Sequence, residues 1–265
     1  MAVQQAVKWS DLGSETPGTA LSNAVAVDRF STFATIIIAV ALGLVSPVLH
    51  DHLARRDSDG PEPWAMFLTA AMGAQIMVSA NDLIVLFLGL ETLSLSLYVL
   101  AASNRRNARS QEAGLKYFIL GGFSSAFFLY GIAMVYGATG STNLSAVATR
   151  LQGSVSLAGD DALLLVGIGL LLVGLGFKVS AVPFHSWTPD VYQGAPSPVT
   201  AFMASAGKVA AFAALLRLLA TALERRVDDW RPVVWVLALL TVFVGSVVAV
   251  VQTDVKRMLA FSSVS

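Results

Sequence analysis

The chain has 265 residues, 55% of them hydrophobic and only 13% charged, with a mean hydropathy of +0.70. A soluble domain carries about 25% charged residues, so a water-soluble globule is excluded and a polytopic membrane protein is expected. Zero formal net charge offers nothing to nucleic acid, and the lack of cysteine excludes disulfides and cysteine-held iron–sulfur or zinc centres.

Residues 1–20 (MAVQQAVKWSDLGSETPGTA) hold no apolar core of the length a cleaved signal needs. Residues 1–27 are read as an extracytoplasmic N-terminal segment, and 28–265 as the membrane bundle. Seven apolar stretches follow, at about 28–50, 63–80, 82–102, 113–137, 161–182, 198–222 and 232–252. Each is long enough, or nearly so, for a hydrocarbon layer about 30 Å thick. Only Asn81 and Asp82 separate the second from the third, so those two spans form a tight helical hairpin. An amphipathic segment starts at Gln252 (QTDVKRMLAFSSVS) and stops at Ser265 with no closing signal. The predicted fold class is all-α: a transmembrane helix bundle of about seven spans plus the start of an eighth.

Loop charge sets the orientation. One side carries Arg55, Arg56, Arg105, Arg106, Arg109, Lys256 and Arg257. The other carries Arg150, Arg225, Arg226 and Arg231, partly offset by Glu224, Asp228 and Asp229. The first side is expected in the cytoplasm and the N-terminus outside.

Three charged residues lie deep within apolar runs: Glu91, Lys178 and Lys208. A charge at the bilayer centre costs roughly 2.5–3.5 kcal/mol on insertion scales, so such residues usually face a polar interior and act there. Glu91, in NDLIVLFLGLETLSLSLYVLAA, sits about 12 Å in from Leu83, near the midplane. Its neighbours Thr92, Ser94 and Ser96 are small and polar, which permits close packing and some hydration. The competing reading is a protonated carboxyl that only packs helices. Lys208, in PSPVTAFMASAGKVAAFAALLRLL, sits about 15 Å into a helix that Ser197 can cap and Pro198 can begin. Ala204, Gly207 and Ala211 around it suggest a close helix contact.

Lys178 has two readings. In a straight helix from Asp161 it lies about 25 Å along and can snorkel to the surface. However, Pro183 breaks the helix, while PFHSWTPDVY keeps its apolar bulk. A discontinuous helix near Ala181–Pro183, resuming toward Tyr192, puts Lys178 centrally beside free backbone groups, a recurring ion-site design in transporters. His185 then borders the same cavity, where a histidine can relay protons near neutral pH. Otherwise it is an interfacial residue next to Trp187. Lys116 and Arg217, near span ends, are read as snorkelling. His50 and His52 are read as interfacial, and no metal site is expected. One acid and two lysines on three spans form a row of titratable groups fit to move protons, with nothing to move electrons.

Three stretches, NDLIVLFLGLETLSLSLYVLAA, GLKYFILGGFSSAFFLYGIAMVYG and above all GFKVSAVPFHSWTPDVYQGAPSPVTAFMASAGKVAAFAALLRL, resemble the antiporter-like N-type subunits of the bacterial proton-pumping NADH:quinone oxidoreductase, respiratory complex I. The resemblance covers roughly residues 24–265. It implies that Glu91 is the membrane-embedded glutamate, Lys178 the lysine beside the broken helix and Lys208 the lysine of the following helix. A glutamate–lysine pair would then tune proton affinity and pass protons through buried water, driven by quinone reduction elsewhere in the complex. It implies a multi-pass subunit of the bacterial plasma membrane, partnered by other complex I membrane subunits and the lipid bilayer. No cofactor is expected on this chain. NADH, FMN, iron–sulfur clusters and quinone belong to the wider complex. The sequence stops before the second, inverted half of that fold, so a partial chain is expected. The alternatives are a subunit of a multisubunit cation/proton antiporter or membrane-bound hydrogenase, and an inactive truncated bundle. The wording WTPDVYQGAPSPV favours the N type.

Overall fold

A computed structural model describes residues 18–55, 60–152 and 158–265. Arg56 and most of the N-terminal segment lie outside the described residues. A short antiparallel hairpin opens the fold, β1 (Gly18–Ala20) against β2 (Val25–Val27), with Gly18 opposite Val27. Asp28 then caps α1 (Arg29–Ala54): its carboxylate accepts from the Ser31 amide at 2.7 Å, and the Ser31 hydroxyl bonds back to the Asp28 amide. Next come α2 (Glu62–Ser79), α3 (Leu83–Ala101), the long α4 (Ala108–Thr139) and the short α5 (Leu144–Arg150). The remainder is α6 (Ala158–Val179), α7 (Trp187–Gly194), α8 (Ser197–Ala222), α9 (Val227–Val250) and α10 (Val255–Val264).

Six described helices are long and apolar enough to cross a membrane: α1, α3, α4, α6, α8 and α9. The seventh expected span, α2, is an 18-residue helix about 27 Å long with a less apolar first turn. It is carried by its partner, because α2 and α3 form the tight hairpin that Asn81 and Asp82 announce. A Cβ on Gly73 would lie 2.4 Å from the Leu93 amide nitrogen, and one on Gly89 2.8 Å from that of Met77. The two backbones therefore touch, as helices do in lipid where close van der Waals packing replaces the hydrophobic effect. Gly131 and Gly167 bring α4 and α6 together in the same way, with a Cβ on Gly131 2.9 Å from the Leu171 nitrogen.

Opposite the arginine-bearing loops, a polar knot ties three chain reversals together. Asn81 and Asn143 both donate to the Asn23 carbonyl, at 2.9 and 2.8 Å, and Thr142 donates to Asp82 at 2.7 Å. Arg217 joins this end. Its guanidinium grips Asp28 with two bonds of 2.8 and 2.9 Å, and its Nε donates to the Val78 carbonyl at 3.2 Å. The Arg217 side chain is only 6% exposed. Arg217 thus joins α8 to the head of α1 and the tail of α2, and the snorkelling expected of it is corrected. Burial alone would raise the Asp28 pKa, but Arg217 and the Ser31 amide hold the carboxyl below the usual carboxylate range.

Two details of α8 also differ from expectation. Ser197 is its first helical residue and caps nothing; the chain enters through Pro196, and the Thr200 hydroxyl reaches back to the Tyr192 carbonyl at 3.2 Å. Around Lys208 the packed face is Ala206, Ala210, Ala213 and Ala214 together with the expected Ala211, whereas Ala204 is exposed and Gly207 has room for a side chain.

Candidate functional site

The site is built on an interruption of α6. The helix ends at Val179, Ser180 takes a left-handed φ of 64°, the Val182–Pro183 bond is cis, and helix resumes at Trp187. The discontinuity expected near Ala181–Pro183 is therefore present. A break at membrane depth frees backbone groups that must find partners, and side chains supply several. Trp187 Nε1 donates to the Phe177 carbonyl at 3.0 Å, across the break. The Val182 amide donates to Thr241 Oγ1 of α9 at 2.8 Å, and a side-chain pair, Thr188 donating to the Ser180 hydroxyl at 2.7 Å, adds a bond across the break.

Lys208 supplies another. Its ammonium donates to the Val179 carbonyl at 2.6 Å and to the Ser263 carbonyl of α10 at 3.1 Å. Val179 is the last residue of α6, where unpaired carbonyls give the helix terminus its partial negative charge and attract a cation. A π-helical turn, Met203–Gly207, immediately precedes Lys208, an irregularity frequent at functional sites. The lysine is 9% exposed and so is buried at the break rather than snorkelling.

Lys178 lies one residue before that carbonyl, in the last turn of α6, and is 7% exposed. Its Nζ is buried and has no hydrogen-bond partner among the described residues. Instead it stands 5.3 Å from the ring centre of Tyr117 and 5.5 Å from that of Tyr98, with Phe177 at 6.0 Å. Lys178 is thus enclosed beside the break rather than turned out to the surface. Glu91 of α3 is close enough for its charge to act on Lys178, yet no ion pair joins the two among the described residues. The Glu91 carboxylate accepts the Ser125 hydroxyl of α4. Thr92, Ser94 and Ser96 each turn their hydroxyl back onto a carbonyl one turn earlier in their own helix. His185 sits in the break itself, half-buried, with its ring 6.3 Å from that of Phe261.

The structure thus gathers Lys178, Lys208 and His185 around one interruption and sets Glu91 within electrostatic reach of Lys178. Sequence reasoning missed the partners: Ser125, Tyr98, Tyr117 and Trp187. Tyr98 carried a readable signal, since it is two turns from Glu91 on one helix face. At the arginine-bearing end, Asp190 of α7 bridges Lys116 and Arg257, each at 2.7 Å. Lys116 also pairs with Glu112 at 2.7 Å, so that half-exposed lysine has specific partners beyond snorkelling.

Residues 80–265 match the family model described as NADH:quinone oxidoreductase/Mrp antiporter, transmembrane. NADH-quinone oxidoreductase subunit N of Trichlorobacter lovleyi is 44% identical over 256 residues, covering 96% of this chain and 52% of the relative. Its namesake in Mycobacterium tuberculosis is 54% identical over 206 residues, covering 77% of this chain and 38% of the relative. The chain spans about half or less of the length of such relatives. Among solved structures, a chain of respiratory complex I from Thermus thermophilus with bound aureothin aligns at 38% identity and a TM-score of 0.79. That alignment covers 99% of this chain and 55% of the other. A chain of the Mrp complex from Dietzia sp. aligns with a TM-score of 0.82 at 22% identity, over 100% of this chain and 49% of that one, and shares the fold. The chain belongs to the NADH:quinone oxidoreductase/Mrp antiporter transmembrane family.

Proposed function

We propose that this chain is part of an N-type membrane subunit of a proton-pumping NADH:quinone oxidoreductase, and that protons cross it by way of Glu91, Lys178, Lys208 and His185. The observation that carries the reading is the meeting of two buried lysines from different helices, α6 and α8, at one broken helix. A lysine bears a transferable proton, and its affinity for that proton falls with burial and rises beside a carboxylate. Movement of Glu91 relative to Lys178 therefore loads or releases a proton, and Lys208, on the carbonyl next to Lys178, is the next station. Quinone reduction elsewhere in the complex drives the cycle.

The partners in this reading are the other membrane subunits of the complex and the surrounding lipid. The location is the bacterial plasma membrane, with the Arg109–Arg257 end in the cytoplasm and the β-hairpin end outside. The redox groups are carried by other subunits. High identity to relatives named as subunit N supports this reading over the antiporter and hydrogenase alternatives.

The test is made in the complete subunit within its assembled complex. Lys208→Ala and Glu91→Gln each lower the protons moved per electron pair while assembly on native gels is preserved. Unchanged pumping in an assembled complex overturns the assignment.

A further inference from the structure

Glu91 and Lys178 carry opposite charges inside one bundle, and each is held by a neutral partner of its own. The Lys178 ammonium has no hydrogen-bond partner among the described residues, and a buried charge needs something in place of its hydration. The faces of Tyr98 and Tyr117, at 5.5 and 5.3 Å, are that replacement, because an aromatic ring presents negative charge density to a cation. These rings are fixed in place. Tyr117 stacks on Trp187 at 4.5 Å with planes 5° apart, and Tyr98 meets Tyr117 edge-on at 4.6 Å. The Tyr98 hydroxyl lies over Gly121, where a Cβ would fall 1.9 Å from it. Ser94 is beside that hydroxyl, with its own proton donated to the Leu90 carbonyl one turn back. It is the ring of Tyr98, then, rather than its oxygen, that is presented to the lysine. On the other side, Glu91 accepts the Ser125 hydroxyl.

We propose that Tyr98 and Tyr117 together, and Ser125 opposite them, are the holding positions of a parted Glu91–Lys178 pair. The rings carry the ammonium, the hydroxyl carries the carboxylate, and the pair closes when both are let go. All three are positioning residues. The inference rests on the proposed proton path and adds to it the groups that keep its first two members apart.

The experiment uses the complete subunit in its assembled complex, reconstituted in vesicles, with Glu91→Gln as the reference. Tyr98→Phe and Tyr117→Phe retain an aromatic face and should pump within about twofold of the parent. Tyr98→Leu and Tyr117→Leu remove it and should lower pumping about fivefold or more. Infrared difference spectra supply the second readout. The Glu91 carboxyl band, identified by its loss in Glu91→Gln, should shift in Ser125→Ala and return in Ser125→Thr. Equal pumping in the Phe and Leu variants, or a band unmoved in Ser125→Ala, overturns the holding positions. If Glu91→Gln itself pumps normally, the proton path falls first. If Glu91→Gln stops pumping while the Leu and Ala variants pump normally, only the holding positions fall.

Discussion

Lys208 Nζ lies 2.6 Å from the Val179 carbonyl oxygen, so an ammonium on α8 closes the open C-terminal end of α6. In the proposed path one group thereby has two roles: it satisfies a backbone acceptor at the break and it would pass on a proton. The two roles separate on substitution. Lys208→Arg keeps donors and positive charge, yet a guanidinium does not release its proton in proteins. The expected outcome is a complex that assembles normally and moves fewer protons per electron pair, read from assembly on native gels and pumping in vesicles. Full pumping by Lys208→Arg shows that the proton on this residue does not cycle.

The α2–α3 contact predicts a sharp contrast among glycines. Gly73→Ala drives a methyl against the Leu93 backbone, 2.4 Å away, where no flexible side chain can give. A loss of about 1–3 kcal/mol is expected, visible as a lower midpoint of thermal unfolding in detergent. Gly122 and Gly169 face open space, and alanine there should leave the midpoint unchanged.

Asp28 predicts a pH dependence. Its folded carboxyl pKa is depressed, so the stabilisation is fully present above the unfolded value of about 3.9 and is lost as pH falls through the folded value. Asp28→Asn leaves the Arg217 guanidinium buried without its counter-charge, a loss on the order of 3 kcal/mol. Thermal midpoints of parent and variant should differ by a constant amount near neutral pH and converge below about pH 4. A gap that persists undiminished in acid means the carboxylate charge is not what stabilises this end.

Trp187→Phe separates stacking from hydrogen bonding at the break. The ring still packs on Tyr117, while the indole donor to the Phe177 carbonyl is gone. That carbonyl retains the Ser180 amide at 3.1 Å, so the expected loss is small, about 1 kcal/mol. Thermal unfolding in detergent measures it, and a loss of several kcal/mol shows that the indole bond alone holds the two half-helices together.

Much of this architecture is legible in the sequence because lipid imposes simple rules. Span length, a proline after Lys178 and a paucity of charge locate the helices, the break and the ionisable residues Glu91, Lys178 and Lys208 from the sequence alone. What stayed hidden depends on which helix faces which. Ser125 looks like any small residue in GGFSSAFF until α4 is set beside α3, and the rings of Tyr98 and Tyr117 read as bulk until Lys178 is found beneath them. Arg217 misleads for the same reason. Its distance from the helix end suits a snorkelling side chain, and nothing in its own segment announces an aspartate 189 residues earlier. The π turn before Lys208 is equally silent, since MASAG is a good helical sequence and only the packing around it adds the extra residue.

α10 is fastened to α7 near its first turn and to α8 near Ser263. Arg257 holds Asp190 of α7 at 2.7 Å, Lys256 donates to the Ala195 carbonyl at 3.1 Å, and the Ser263 carbonyl receives Lys208. The arginine-bearing surface and the buried ammonium therefore share one scaffold, because residues 256–263 of α10 present a polar partner to each.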